Sequence, residues 1–492
     1  PNENPTNLMY RKIETGFTID TDQNVIPYTD ITTTTYNEKG QVLTRDGPLP
    51  GDQDKVQFEY DPVTGDMTEL THPLTGPETF AYDPAGNLTR HVDANGIITT
   101  FTHDGKNRLL TRTVNGQTER LTYTAAGDLN TVTNPLNQTT RYEYNSQGHL
   151  EKVINPSLDY TFMGYDDKGN MIESSLVTAQ GVKKKSVQYD YGDPASMPDL
   201  SPGKIWKTIT RNRADTMDQE TVHTYANGSL AQINDPQGGQ GDYEYDLFNR
   251  VIQTRQKIDD SSFAVTRYGY DTRDNLVKVT DPNGNTTTYL YDDRDRLIKT
   301  ISPDSGTTWF VHDMEANSKT RIKNDGSKTR YLFDGLGRLT AIRYDDPSHN
   351  VTYQYDQGTN GKGRLTTIND PSGTRQYIYD AFGRITREEK TLEGLSFITA
   401  YGYDDAGNLT AVTYPSGRQI NYSRDVSGRV IGVETLMDNN TRTLAGQIQY
   451  LPFGPMTAMT YGNGLVLTRT FDRNYTPEQF NLANVLDIGD EV

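Results

Sequence analysis

The chain has 492 residues, a formal net charge of −18 and no cysteine, and its isoelectric point lies near 4.9. It therefore lacks the basic face that nucleic acid or an anionic membrane surface requires, and it can form no disulfide, thiol nucleophile or thiolate metal site. A mean hydropathy of −0.76 would suit a disordered chain, but 32 tyrosines and regularly placed glycines and prolines point instead to β-sheet with a thin core.

From the N-terminus onward, an aromatic or histidine anchor, usually followed by Asp, recurs at Tyr36, Tyr60, Tyr82, His103, Tyr123, Tyr144 and Tyr165, about 21 residues apart. The stretch 189–224 breaks the spacing. Its "DPASMPDLSP" carries three prolines, which cannot donate to a central ladder, so Pro194 to Pro202 is predicted to leave the sheet as a loop, with Trp206 returning the chain to a strand. The register resumes at Tyr225, Tyr245, Tyr270, Tyr291, His312, Phe333, Tyr355, Tyr379 and Tyr403, and weakens through Arg424, Tyr450 and Phe471. Such self-similarity is the mark of a repeat array and not of several independent domains. The expected organisation is an opening partial repeat over 1–35, an array over 36–471 with a loop insertion near 189–224, and a truncated tail over 472–492.

Within a unit, "TTRYEYNSQGHLEKVINP" (139–156) shows the pattern: Thr140, Tyr142 and Tyr144 alternate with Arg141 and Glu143, the period of two of a strand. A turn follows, with Gly at a position suited to positive φ, as at Gly86, Gly148, Gly383 and Gly407; a second turn of the "DANG" kind comes about ten residues later. Two turns make two short antiparallel strands per unit. The segment after the first turn alternates less cleanly, and a bulge would bring both aliphatics of "NLTAV" (408–412) onto one face. The tyrosines Tyr60, Tyr82, Tyr123, Tyr144, Tyr165, Tyr225, Tyr245, Tyr270, Tyr291, Tyr355, Tyr379 and Tyr403 are the expected structural row, meeting tyrosines on neighbouring hairpins in pairs of about 0.2–1 kcal/mol each.

Few residues offer chemistry. The seven histidines, 72, 91, 103, 149, 223, 312 and 349, are scattered, and His103 and His312 stand where other units have Tyr. "DTDQN" (20–24) begins like a calcium loop but lacks the Gly at the sixth position and the distal Glu. Asp292, Asp293 and Asp295 sit in "DDRDR" beside their own arginines. "GTNGKG" (358–363) has no Ser or Thr after its Lys, as a phosphate loop needs, and no GxSxG occurs. "VKKKS" (182–186) reads as a solvated loop. The Asn-x-Thr triplets at Asn87 and Asn408 arise from the repeat itself. The residues indicate no catalytic group, cofactor or metal, and no enzyme.

The period, with "YDPAGNLT" (82–89), "YDAFGRIT" (379–386) and "YDDAGNLT" (403–410), resembles the YD-repeat or Rhs-repeat family. That family takes in bacterial Rhs polymorphic toxins, the B and C components of insecticidal Tc complexes, wall-associated proteins and teneurins. The resemblance implies an all-β fold, an antiparallel ribbon of hairpins spiralling into an open or partial hollow shell. It implies a non-enzymatic role: sequestering a C-terminal toxin or other polypeptide cargo, with other parts of the shell or a secretion apparatus as partners. It also implies a secreted or bacterial cell-surface location without membrane insertion. The chain departs from the complete pattern in two respects: no Pro-x-x-x-x-Asp-Pro-x-Gly-Leu motif and no toxin-like segment after Phe471, so it reads as wall alone. The alternative reading is a surface adhesin whose exposed aromatics and Asp residues contact carbohydrate.

Overall fold

A computed structural model describes residues 8–191, 207–210, 219–472 and 475–484. Trp206 and the segment Pro194 to Pro202, where a loop was expected, lie outside them. The described residues form 41 β-strands and a single 3-10 turn, Pro347–His349. The fold is all-β and antiparallel.

The chain divides into two units. In the first, formed by Pro1–Gln117 and Arg267–Thr399, successive strands pair antiparallel with their sequence neighbours, as Gly76–Tyr82 does with Leu88–Val92, and that strand in turn with Ile98–His103. In the second, Thr118–Thr266 with Ala400–Val492, the same rule holds. Even inside the irregular stretch, Lys207–Thr210 pairs with Lys183–Asp190 on one side and Gln219–Ala226 on the other, so the ladder continues through it.

These residues form these elements for local reasons. The commonest turn is five residues long and built on an acceptor side chain at its first position. In "DPAGN", Asp83 Oδ1 accepts from the amides of Ala85 and Asn87, both at 2.9 Å, while the Asp83 amide donates to the Asn87 carbonyl and the Gly86 amide to the Asp83 carbonyl. Gly86 takes φ +84°, a region costly for a residue with a Cβ. The second turn of the unit, Asp93 to Ile97, is built the same way. Asparagine serves equally: Asn145 Oδ1 accepts from Gln147 and His149 at 3.0 Å.

The core is thin. Among the described residues the buried apolar side chains are Ile19, Leu49, Val177, Val311, Ile322, Ala341, Val412 and Leu467. One cluster, Ile19 with Val311 and Ile322, gathers Ile298 and Trp309 around it in the first unit. Some strands are half-buried on one side and open on the other, as in Ile98–His103, where exposed and half-buried residues alternate, and others, such as Tyr160–Tyr165, are half-buried throughout.

Candidate functional site

The most regular constellation in the molecule is the anchor at each strand end. All twelve tyrosines of the expected row lie opposite an aliphatic residue or Met where the register shifts by one. Tyr82 faces Leu88 while Ala81 faces Arg90, and Tyr403 faces Leu409 while Gly402 faces Ala411. The same holds for Tyr60, Tyr123, Tyr144, Tyr165, Tyr225, Tyr245, Tyr270, Tyr291, Tyr355 and Tyr379. The shift is a β-bulge at the residue after the aliphatic, Thr89 or Thr410 in these two units. It sets Leu409 opposite Tyr403 and Val412 opposite Tyr401. Without the extra residue, aliphatics three apart would fall on opposite faces. The bulge threonine has its own bond: Thr89 Oγ1 donates to the Ala81 carbonyl, Thr340 to Leu332 and Thr366 to Gln354, each at 3.1 Å.

The anchor hydroxyl reaches backward. Tyr144 donates to the Leu129 carbonyl at 2.9 Å, Tyr165 to Leu150 at 2.8 Å, Tyr291 to Leu276 at 2.9 Å and Tyr355 to Leu339 at 2.8 Å; Tyr379 makes the same bond to Leu365. Each carbonyl belongs to the aliphatic that opens the corresponding strand one repeat earlier. Sequence reasoning, which looked for ring-to-ring pairs, missed this donor role. The signal was present in the substitutions: His312 Nε2 lies 3.1 Å from the Leu297 carbonyl, and Arg424 Nη2 donates to Leu409 at 2.8 Å. What Tyr, His and Arg share is a donor at the end of a long side chain. At His312 the register does not shift.

The last residue of the turn completes the unit. In several units it is an Arg that pairs with the turn aspartate, as Arg296 Nη2 does with Asp292 at 2.7 Å and Arg384 Nε with Asp380 at 2.7 Å. Arg338 holds both Asp334 and Asp356, at 2.7 Å each, and lies 4.4 Å from the centroid of the Tyr355 ring. His149, in the same position, packs on Tyr165 at 4.8 Å. Bonds from the Arg108 side chain, then its amide, hold the Asp104 carboxyl down at about 2. Burial pushes the Tyr82, Tyr144 and Tyr291 hydroxyls up.

The acidic motifs are consumed internally. Asp20 of "DTDQN" accepts from the Asn24 side chain and from the Asp22 and Asn24 amides, closing the first hairpin. In "DDRDR", Asp292 is buried against Arg296 and the Thr18 hydroxyl, Asp293 accepts from the Phe17 amide at 2.8 Å, and Asp295 pairs with Arg273 at 3.2 Å. For Asp292, burial works to raise the carboxyl's pKa, but the Arg296 bonds outweigh it and hold it low. Arg294 is ion-paired with Asp30 and stacks 3.5 Å from the Tyr28 centroid. These groups border a cavity of about 820 Å³ under the first hairpin, with His312, Arg330, Arg343 and Tyr344 on its opposite wall. Among the described residues no cluster of three or more His, Asp or Glu has the disposition to hold a metal. "VKKKS", expected as a solvated loop, instead opens the strand Lys183–Asp190, where Lys183 pairs with Glu173. "GTNGKG" forms part of a widened turn in which the Gly363 amide donates to Asp356. No helix among the described residues is long and apolar enough to cross a membrane.

The arrangement can transmit order from repeat to repeat. The RHS Repeat family profile matches residues 82–120, 123–157, 264–307, 360–394 and 403–436. The chain is similar to TcdB2-TccC3 with a TM-score of 0.61 and 13% identity, over 96% of its own length and 30% of that chain. Its similarity to TcdB2-TccC3-TEV has a TM-score of 0.63 and 11% identity, over 96% and 32%. To the Tc holotoxin pore of Photorhabdus luminescens the values are 0.56 and 11%, over 95% and 34%. The chain thus spans about a third of the length of the structures it matches, and the likeness is one of fold.

Proposed function

The chain belongs to the RHS-repeat family, and from that premise we propose that it is a non-catalytic wall segment of a secreted bacterial shell, one that encloses a polypeptide cargo such as a C-terminal toxin. The observation that carries this reading is the thin core: few apolar side chains among the described residues are buried, and the hairpins are held by turn caps, carbonyl bonds and neighbour contacts. A sheet built this way is wet on both faces and does not fill its interior with its own side chains as a small barrel does. It can grow by whole repeats without redesigning a core. The array over 36–471 is the wall proper in this reading, with 1–35 and 472–492 as its flanks. The fold likeness to TcdB2-TccC3 supports it.

Two measurements test it. A solid globule of this length has a radius of gyration of about 23 Å; small-angle scattering from the folded chain should give a clearly larger value, and a value near 23 Å would refute a wall enclosing open volume. A protease-sensitive reporter fused after Val492, within the full-length protein, should be cleaved more slowly than the free reporter. Equal cleavage would count against enclosure.

A further inference from the structure

The hairpins of each unit close at two rims. Turns that follow the anchors, such as Asp334 to Arg338, form one; turns of the "DANG" kind, such as Asp93 to Ile97, form the other. In the first unit the two rims touch. Asn95, at the tip of a far-rim turn, donates through Nδ2 to the Lys362 carbonyl at 3.2 Å, and its Oδ1 accepts the Lys362 amide at 2.8 Å. Lys362 lies in the anchor-rim turn between Asp356 and Arg364, 267 positions along the chain. A second approach brings the Gln53 carbonyl so near Gly335 that a Cβ there would stand 1.6 Å from it; Gln53 is in a far-rim loop and Gly335 in an anchor-rim turn. A third joins Phe17, beside the far-rim turn of the first hairpin, to Asp293, separated by 276 positions.

The second unit repeats the relation with different residues. Leu136 and Leu158, in two far-rim turns, line a crevice of about 500 Å³ with Val426 of an anchor-rim turn. Beyond another far-rim turn, Lys185 Nζ lies 5.9 Å from the ring of Tyr475, again in an anchor-rim turn. Every one of these contacts pairs a far rim with an anchor rim, and the anchor rim is always the later in sequence.

We infer that the far rim is an interaction surface whose partner is the anchor rim of the same chain about 270–290 positions downstream, a distance of about thirteen repeats. A turn offers no free strand edge, so the sheet ladder cannot bridge two rims. The bridge is made by what a turn can present. The Asn95 amide carries the donor and acceptor of a peptide and so pairs with the Lys362 backbone as a strand residue would. At Gly335 the missing side chain lets one backbone reach the other. The inference concerns how the chain seals against itself and stands whether or not a cargo is enclosed.

The absence of native cysteine makes the test direct. Asn95→Cys/Lys362→Cys in the first unit and Leu158→Cys/Val426→Cys in the second should each give a high yield of intrachain link with a short bis-maleimide, read by mass spectrometry of the linked peptides. Asn95→Cys/Arg273→Cys, which joins a far-rim turn to an anchor-rim turn at the wrong separation, should not. Comparable yields in all three would overturn the rule. If a double variant does not fold, the single variant Asn95→Ala decides: hydrogen exchange at the Lys362 amide should rise about tenfold with the strand ladders unchanged, and an unchanged Lys362 amide would refute the clasp.

Discussion

Replacing Tyr291 by Phe keeps the ring and removes one atom, the hydroxyl that donates to the Leu276 carbonyl at 2.9 Å. A neutral hydrogen bond of this kind contributes about 1 kcal/mol net, with a range of roughly 0.5–1.5. In an array where each repeat contacts mainly its neighbours, that loss stays local, and a single unfolding free energy for the whole chain is a poor readout. Hydrogen exchange followed by mass spectrometry at 25 °C is a better one. A loss of about 1 kcal/mol corresponds to about fivefold faster opening, expected in the strands Leu276–Thr280, Thr286–Tyr291 and Leu297–Ser302 and not in Gly76–Tyr82, far along the same unit. Tyr291→Ala, which also deletes the ring, should cost roughly 2–3 kcal/mol, below the value for a fully buried aromatic because this side chain is half-exposed. Unchanged protection in Tyr291→Phe would show that the hydroxyl bond adds nothing beyond water. A uniform rise over the whole chain would show that the repeats are not energetically local.

The part-buried hydroxyls predict alkaline lability. Burial raises the pKa of Tyr144, Tyr291, Tyr355 and Tyr379 above 10, so their contribution is whole below pH 10 and lost as pH climbs through the raised values; circular dichroism should show β-structure failing there, later in a Tyr144→Phe/Tyr291→Phe variant. Acid acts through the turns with opposite sign: Asp104 falls from 3.8 to about 2 and Asp83 and Asp246 are also lowered, so stability present above about pH 4 should drain away toward pH 2, with Asp104→Asn protecting its own turn in exchange measurements. Arg338→Lys should not substitute for Arg338, since an ammonium cannot grip Asp334 and Asp356 together; local destabilisation of about 1–3 kcal/mol is expected, and wild-type protection would contradict it. Thr340→Val should cost about 1 kcal/mol through the lost bond to the Leu332 carbonyl, whereas Thr340→Ser should restore the protection of that bulge.

Whatever lies within five residues of itself was legible from the amino-acid order. The turn "DPAGN" needs an acceptor at its first position and a residue tolerant of positive φ at its fourth, and both requirements are written in Asp83 and Gly86. Alternation in Thr140, Tyr142 and Tyr144 announced a strand, and the broken alternation of "NLTAV" announced the bulge. The donor role of the anchors was half-legible. It links Tyr144 to a carbonyl 15 positions back, beyond the reach of turn chemistry, and showed only in what replaces Tyr at His312 and Arg424. The rim contacts were not legible at all. Asn95 and Lys362 sit 267 positions apart in turns that look like any others, and nothing in either turn names its partner. Their meeting depends on how small rotations accumulate over many strand pairs, a quantity no single repeat contains. Local sterics and hydrogen bonding therefore determine the repeat, and only the tertiary structure determines where the chain comes back to touch itself.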